Sequence, residues 1–156
     1  NDILRALNVL ACSNWTLTIV GDGPDLPMLQ DFVSKEGNIT EKVSFVGRQT
    51  NPSEWYERSD ALILASYNEG MPTVLVEATI YGLPLISTDC ESGPNEIISH
   101  GKNGLLVPVG DYKSLSLAIE RFITDYSTFS NEASIVKRYK DDIAVKYFSD
   151  SLNALL

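Results

Sequence analysis

Two glutamates, Glu69 and Glu77, bracket the turn Gly70-Met71-Pro72-Thr73-Val74. Ahead of them, Ala61-Leu62-Ile63-Leu64-Ala65 is a short apolar burst of the kind a buried parallel strand needs. Behind them, Thr73 to Tyr81 is apolar at helical spacing and stops at Gly82, which suits the C′ position. The order is therefore strand, turn, helix. Pro72 fits the first helical position, where its missing N–H costs no hydrogen bond. The amides of Thr73 and Val74 would then point outward without partners, and with the positive helix end they make an anion site. Glu77 would sit roughly 6–7 Å along the axis at about 1.5 Å per residue. Two acids beside a phosphate repel it, so the arrangement makes sense if they accept hydrogen bonds from neutral hydroxyls flanking the phosphates, as sugar and ribose hydroxyls do. Spacing alone also allows a solvated loop acid at Glu69 and a helix-surface acid at Glu77.

Two other turns end strands with glycine. Trp15 to Val20 runs into Gly21-Asp22-Gly23-Pro24, and Val43 to Val46 is closed by Gly47, with Arg48 next. Two glycines let a backbone turn tightly and approach a ligand. As a dinucleotide fingerprint the first turn fails, because Leu26 stands in the third glycine's place and no acid follows the next strand at the ribose position. His100, the single histidine, has no acidic or metal-binding companion at ligand spacing and reads as a surface loop residue. One histidine and two distant cysteines cannot make a closed metal site. Cys12 and Cys90 read as buried thiols without a disulfide. Glu96 reads as a helix-start acid favoured by the macrodipole.

The elements that must hold these turns alternate. Helices are expected over Asp2–Cys12, Asp25–Lys35, Thr73–Tyr81, Asn95–Ser99 and Tyr112–Thr124, and from Asn51 with Glu54 at N3 of a near capping box. Asp111 is the expected cap of Tyr112–Thr124. Two more helices are expected over Ser130–Tyr139 and Asp142–Leu155. Strands fall at Trp15–Val20, Val43–Val46, Ala61–Ala65, Pro84–Ser87 and Leu105–Pro108. Trp55 and Tyr56 read as packing residues. This alternation gives an α/β domain, a parallel sheet with helices on both faces.

In the doubly wound order the strand before the first helix is the centre of the sheet, and here the sequence starts inside that helix. The flanking strands Trp15–Val20 and Ala61–Ala65 each lose a neighbour, leaving unpaired edges. Direct pairing of the two, another chain, or a distorted sheet must close the gap, and residues added upstream should raise the melting temperature sharply.

At 156 residues the chain is one domain by length, and its 44% hydrophobic content suits a globular protein with a core. A net charge of −9 without a basic cluster argues against nucleic acid and against electrostatic attachment to an anionic membrane. No apolar run approaches a spanning helix and no signal peptide is present, so the default compartment is the cytoplasm.

Glu69, seven residues, then Glu77, with Gly70-x-Pro72 between, resembles the E-x7-E signature of the family 4 glycosyltransferases, retaining enzymes of the two-domain GT-B type. Gly21-Asp22-Gly23-Pro24, Val43-Ser44-Phe45-Val46-Gly47, Ser59-Asp60-Ala61, Gly82-Leu83-Pro84-Leu85-Ile86, Gly93-Pro94-Asn95-Glu96-Ile97-Ile98 and Asn103-Gly104-Leu105-Leu106-Val107-Pro108 match in the same order. The run Thr88 to Glu96 resembles a form common in bacterial hexose and hexosamine transferases. The match covers nearly the whole chain and only the family's C-terminal, donor-binding half, a three-layer Rossmann-like domain.

The resemblance implies that Thr73 and Val74 hold a diphosphate, that Glu77 holds ribose hydroxyls, and that Glu69 with Gly70, Met71 and Pro72 meets the donor hexose. Glu69 is the candidate catalytic residue. Gly47 and Arg48 would lie beside the base, with Gly21 and Gly23 offering a backbone edge to the donor. The donor would be a nucleotide diphosphate sugar, a UDP-sugar foremost, used without a divalent metal. A glycan or lipid-linked acceptor would be met through an absent N-terminal domain, which could also bring the protein to the inner face of the membrane for polysaccharide synthesis. The family's upstream strand and its Arg…Lys pair for the diphosphate are not in this sequence, a departure that bears on donor affinity, and with acceptor recognition placed in the N-terminal domain the chain alone should bind without transferring. C-terminal helices in the family pack along the domain, so Phe148, Leu152 and Leu155 would be partly exposed here, and they or the free sheet edge could mediate self-association. Two other readings remain: a nucleotide-sugar epimerase of the same architecture, and a non-catalytic interaction module.

Overall fold

The computed structural model describes residues 1–130. Apart from Ser130, the two helices expected over Ser130–Tyr139 and Asp142–Leu155, with the exposure expected of Phe148, Leu152 and Leu155, lie outside the described residues. Elements alternate as α1 (Asp2–Asn8), β1 (Leu17–Val20), α2 (Leu26–Lys35), β2 (Val43–Gly47), α3 (Ser53–Glu57), β3 (Leu62–Leu64), α4 (Thr73–Ile80), β4 (Leu85–Thr88), α5 (Pro94–Ile97), β5 (Gly104–Val107), α6 (Tyr112–Thr124) and α7 (Tyr126–Ser130). Each expected strand is present, trimmed or shifted by a residue or two. β1 starts late because the chain is still turning at Trp15, whose amide donates to the Ser13 carbonyl and whose indole N–H donates to that of Cys12.

All pairing is parallel, in two separate sheets. β1 pairs with β2, and β3-β4-β5 form a second sheet with β4 central. The register of β4 and β5 places Leu85 opposite Gly104, where an added Cβ would stand 2.2 Å from the Leu85 carbonyl oxygen. The three-stranded sheet has helices on both faces. Leu85 faces a core with Leu75 and Ala78 of α4, while Ile86 faces one with Ala6 and Leu7 of α1 and Leu115, Ile119 and Phe122 of α6. The β1–β2 pair is covered on one face, by Leu4 of α1 and Val33 of α2. Among the described residues, its other face leaves Thr18, Val20 and Ser44 exposed.

β1 and β3 do not pair. Between them lies a cleft of about 1020 Å³, lined among others by Leu17 and Ile19 of β1, Leu62 and Ile63 of β3, and Leu4 and Leu7 of α1. Of the three ways to close the missing-strand gap, direct pairing is therefore not taken. Paired strands sit about 4.8 Å apart, and β1 and β3, which do not pair, stand wider than that. Helix α1 holds that spacing, because Leu4 belongs to the β1–β2 core and Leu7 to the core under β4 and β5.

Caps account for the helix starts. Asp111 accepts from the amides of Lys113 and Ser114 at 3.1 and 3.0 Å, as the sequence predicts. α3 opens at Ser53, one residue beyond Pro52, and the Asn51 side chain accepts from the amide and hydroxyl of Ser53. Glu54 does not reach back to close a capping box, because it pairs with Arg58 at 3.1 Å. α4 ends as expected, with Gly82 at φ 73° and the Leu83 amide returning to the Ala78 carbonyl.

Candidate functional site

The turn between β3 and α4 is tied down at three points. Tyr67 donates its hydroxyl to Asp2 Oδ2 at 2.9 Å, linking the turn to α1. The Ser66 hydroxyl donates a short hydrogen bond to Oε1 of Glu69. The Ser66 carbonyl accepts from the Thr88 hydroxyl at 2.6 Å, at the carboxyl end of β4. Glu69 is therefore a half-buried, oriented carboxylate rather than a freely solvated loop acid.

Helix α4 opens one residue later than the spacing predicts. Pro72 is its buried cap, not its first residue, with φ −75° and ψ 82°. The Pro72 carbonyl accepts from the amides of Leu75 and Val76. The Thr73 amide, expected to be free, instead donates to the Met71 carbonyl at 2.9 Å, because ψ at Pro72 folds the chain back there. Val74 keeps an amide with no acceptor among the described residues. Its side chain is partly exposed, and Met71 stands 71% exposed at the lip of the turn.

Glu77 is 9% exposed, which excludes a helix-surface acid. Its Oε2 accepts from the Tyr56 hydroxyl at 2.6 Å. Burial pushes the Glu77 carboxyl above the usual carboxylate range, and the Tyr56 hydrogen bond pulls partly against that. The Tyr56 phenol is raised by burial first and by the adjacent carboxylate second. From the sequence, Tyr56 is expected to be a packing residue. It does pack, stacked on Tyr81, but its hydroxyl also reaches a site acid.

The loop after β4 presses on the turn. Gly93, at φ 94°, leaves so little room that a Cβ would lie 2.4 Å from Pro72 Cδ and 3.4 Å from the Gly70 carbonyl oxygen. Ser92 beside it has φ 73°, unusual for a residue with a side chain. This contact was not read as part of the site; its sequence signal is the Ser-Gly-Pro turn.

At the neighbouring sheet, the Gly21 amide donates to the Gly47 carbonyl at 2.8 Å, joining the two strand ends. Both glycines have positive φ, 131° and 66°. No atom lies within 4 Å of a Cβ built on Gly21, Gly23, Gly47 or Gly70, so the space over these backbones is open. Arg48 is exposed and 3.8 Å from the equally exposed Asp22, a screened pair of little energetic weight.

The cleft between β1 and β3 gathers Gly21, Arg48, Met71, Thr73, Val74 and Glu77, along with Tyr56 and Asp22. Glu69, Gly70, Pro72, Gly47 and Gly23 do not line it. The two glutamates therefore part company, Glu77 bordering the cleft and Glu69 turned toward Ser66. Elsewhere, His100 is exposed and its Nδ1 accepts from the Leu106 amide at 3.0 Å. Cys90 is buried, but Cys12 is only half-buried, and neither forms a disulfide. Among the described residues no helix is long and apolar enough to cross a membrane.

A sequence profile described as glycosyl transferases group 1 matches residues 2–125. The chain belongs to this family. Among curated relatives, the lipopolysaccharide 1,6-galactosyltransferase of Escherichia coli K12 is 37% identical over 126 residues, 78% of this chain and 34% of that protein. An exopolysaccharide phosphotransferase of Streptomyces coelicolor is 35% identical over 149 residues, 91% of this chain and 16% of its own length. Among solved structures, the apo lipopolysaccharide outer core galactosyltransferase WaaB superposes with a TM-score of 0.79 at 30% identity, over 99% of this chain and 44% of that one. Anabaena HepE in complex with UDP and glucose gives 0.73 at 25% identity, over 98% and 44%. The group 1 chain thus has the Rossmann-like fold of GT-B glycosyltransferases and spans less than half the length of these relatives.

Proposed function

We propose that this group 1 chain is the donor-binding domain of a retaining glycosyltransferase that moves a hexose or hexosamine from a nucleotide diphosphate sugar to a glycan or lipid-linked acceptor. The observation that carries it is Glu77, a carboxylate buried one turn into α4 and bordering an open cleft. Such an acid accepts hydrogen bonds from paired ribose hydroxyls. The Val74 amide at the head of α4, without an acceptor among the described residues, supplies one donor to the diphosphate, and Thr73 contributes through its hydroxyl rather than its amide. Gly21 and Arg48 close the far wall on the base.

Glu69 is the residue for the sugar. Its tether to Ser66 fixes a carboxylate next to Gly70 and the Gly93 loop, suited to gripping hexose hydroxyls or to supporting positive charge that develops at the anomeric carbon. That HepE, of similar fold, binds UDP and glucose supports the nucleotide class. Similarity to the lipopolysaccharide galactosyltransferases supports a role in surface polysaccharide synthesis.

Titrating UDP into the chain by calorimetry tests the reading. Saturable binding that weakens at least tenfold in Glu77→Ala is expected, since a hydrogen bond to a charged group carries about that factor. Equal binding by both proteins, or none by either, would favour the interaction module instead.

A further inference from the structure

Among the described residues, the carboxylate of Glu77 has one hydrogen-bond donor, the Tyr56 hydroxyl, 2.6 Å from Oε2. No donor among these residues reaches Oε1, and that oxygen does not stand among the buried side-chain atoms that lack a partner. The Tyr56 ring stacks on Tyr81, with centroids 5.3 Å apart and 17° between the planes. Tyr81 caps the C-terminal end of α4, the helix that carries Glu77. One helix therefore holds the tyrosine twice, by its ring at the helix end and by its hydroxyl at the acid. Tyr56 and Glu77 both border the cleft.

We infer that Tyr56 is a positioning residue for donor recognition. Its hydroxyl occupies Oε2 and locks the Glu77 rotamer, so that Oε1 alone is presented to the ribose hydroxyls. This rests on the nucleotide reading above and adds to it a specificity device on a different helix, 21 residues upstream. A purely structural hydrogen bond would stabilise the fold and leave ligand preference unchanged. A positioning bond changes the preference itself, because an acid free to rotate meets a ligand with and without ribose hydroxyls more nearly alike.

The test compares UDP with 2′,3′-dideoxyuridine diphosphate, by calorimetry, in the unaltered chain and in Tyr56→Phe, Glu77→Gln and Tyr81→Leu. The unaltered chain should prefer UDP by roughly tenfold or more, the worth of one hydrogen bond to a charged acceptor. Glu77→Gln should lose most of that ratio. Tyr56→Phe should lose at least about threefold of it, a partial loss since the acid remains. Its binding should also fail at higher pH on acidification, because Glu77 without its donor ionises less readily. Tyr81→Leu, which removes the stacking and keeps the hydroxyl, should fall between, and it decides the matter if Tyr56→Phe does not fold. A ratio unchanged in Tyr56→Phe, or in Tyr81→Leu where that variant decides, overturns the positioning role while a collapsed ratio in Glu77→Gln keeps the nucleotide reading. No preference for UDP in the unaltered chain overturns both.

Discussion

Gly93 lies against Pro72 so closely that no side chain fits between them, the nearest approach of a built Cβ being 2.4 Å from Pro72 Cδ. The loop after β4 and the cap of α4 are thus one packed unit, although 21 positions separate the two residues in sequence. Gly93→Ala meets both a rigid proline ring and a left-handed φ of 94°. A loss of about 2 kcal/mol or more is expected in urea unfolding, with the ligand site disordered alongside. A stability within about 0.5 kcal/mol of the parent would show that the loop can lift off Pro72.

Ser66→Ala removes the donor that orients Glu69. The half-buried carboxylate then rotates to solvent, at a cost of about 1 kcal/mol. UDP affinity should stay within about twofold, because the serine does not line the cleft that holds Glu77. In an enzyme containing this chain, kcat should fall more than KM rises. A reversed pattern would place Glu69 on the nucleotide.

Two acids should tilt the stability profile in opposite senses. The Asp111 carboxyl is held below its usual range by the Ser114 hydroxyl and amide, so its stabilisation is complete above the unfolded value, about 3.9, and is lost as pH falls through the folded one. The Glu77 carboxyl is raised by burial, so its ionisation works against folding, increasingly as pH climbs from the unfolded value, about 4.3, through the folded one. Melting curves from pH 2 to 7 should show Asp111→Asn losing the acid-side dependence. Glu77→Gln should gain on the parent as pH rises. Parallel curves for all three proteins would contradict both assignments.

An extended apolar segment joined ahead of Asn1 should enter the cleft between β1 and β3 and pair with both edges. A rise in melting temperature on the order of 10 °C is expected from several new backbone bonds and the covered apolar wall. The same segment with alternate backbone amides methylated should give little, since it cannot complete the ladder. Equal gains from both would mean that the cleft rewards grease and not strand pairing.

The alternation of elements was readable because each strand is a short apolar run, three of them stopped at once by Gly21, Gly47 or Pro108, and because Asp111 and Gly82 punctuate their helices as side-chain and backbone chemistry demand. Burial of Glu77 was not readable. Position alone allowed a surface acid, and the decision rests on Tyr56, 21 residues away, a tertiary contact that helical periodicity does not encode. The helix start slipped by one residue for a local reason, since proline suits both the cap and the first helical position and only ψ separates them. The Ser66 tether was missed because a serine near an acid is common and only the fold of the turn brings the two together.

Helix α1 touches both halves of the molecule, with Leu4 in one core and Leu7 in the other. A seven-residue helix is a slender pin for two sheets that share no strand pairing. The halves should breathe about it separately, so amide exchange in β1 and β2 should outrun that in β4, which is buried along its whole length. A donor spanning the cleft would then act as a clasp, drawing the faster half down to the rate of the slower.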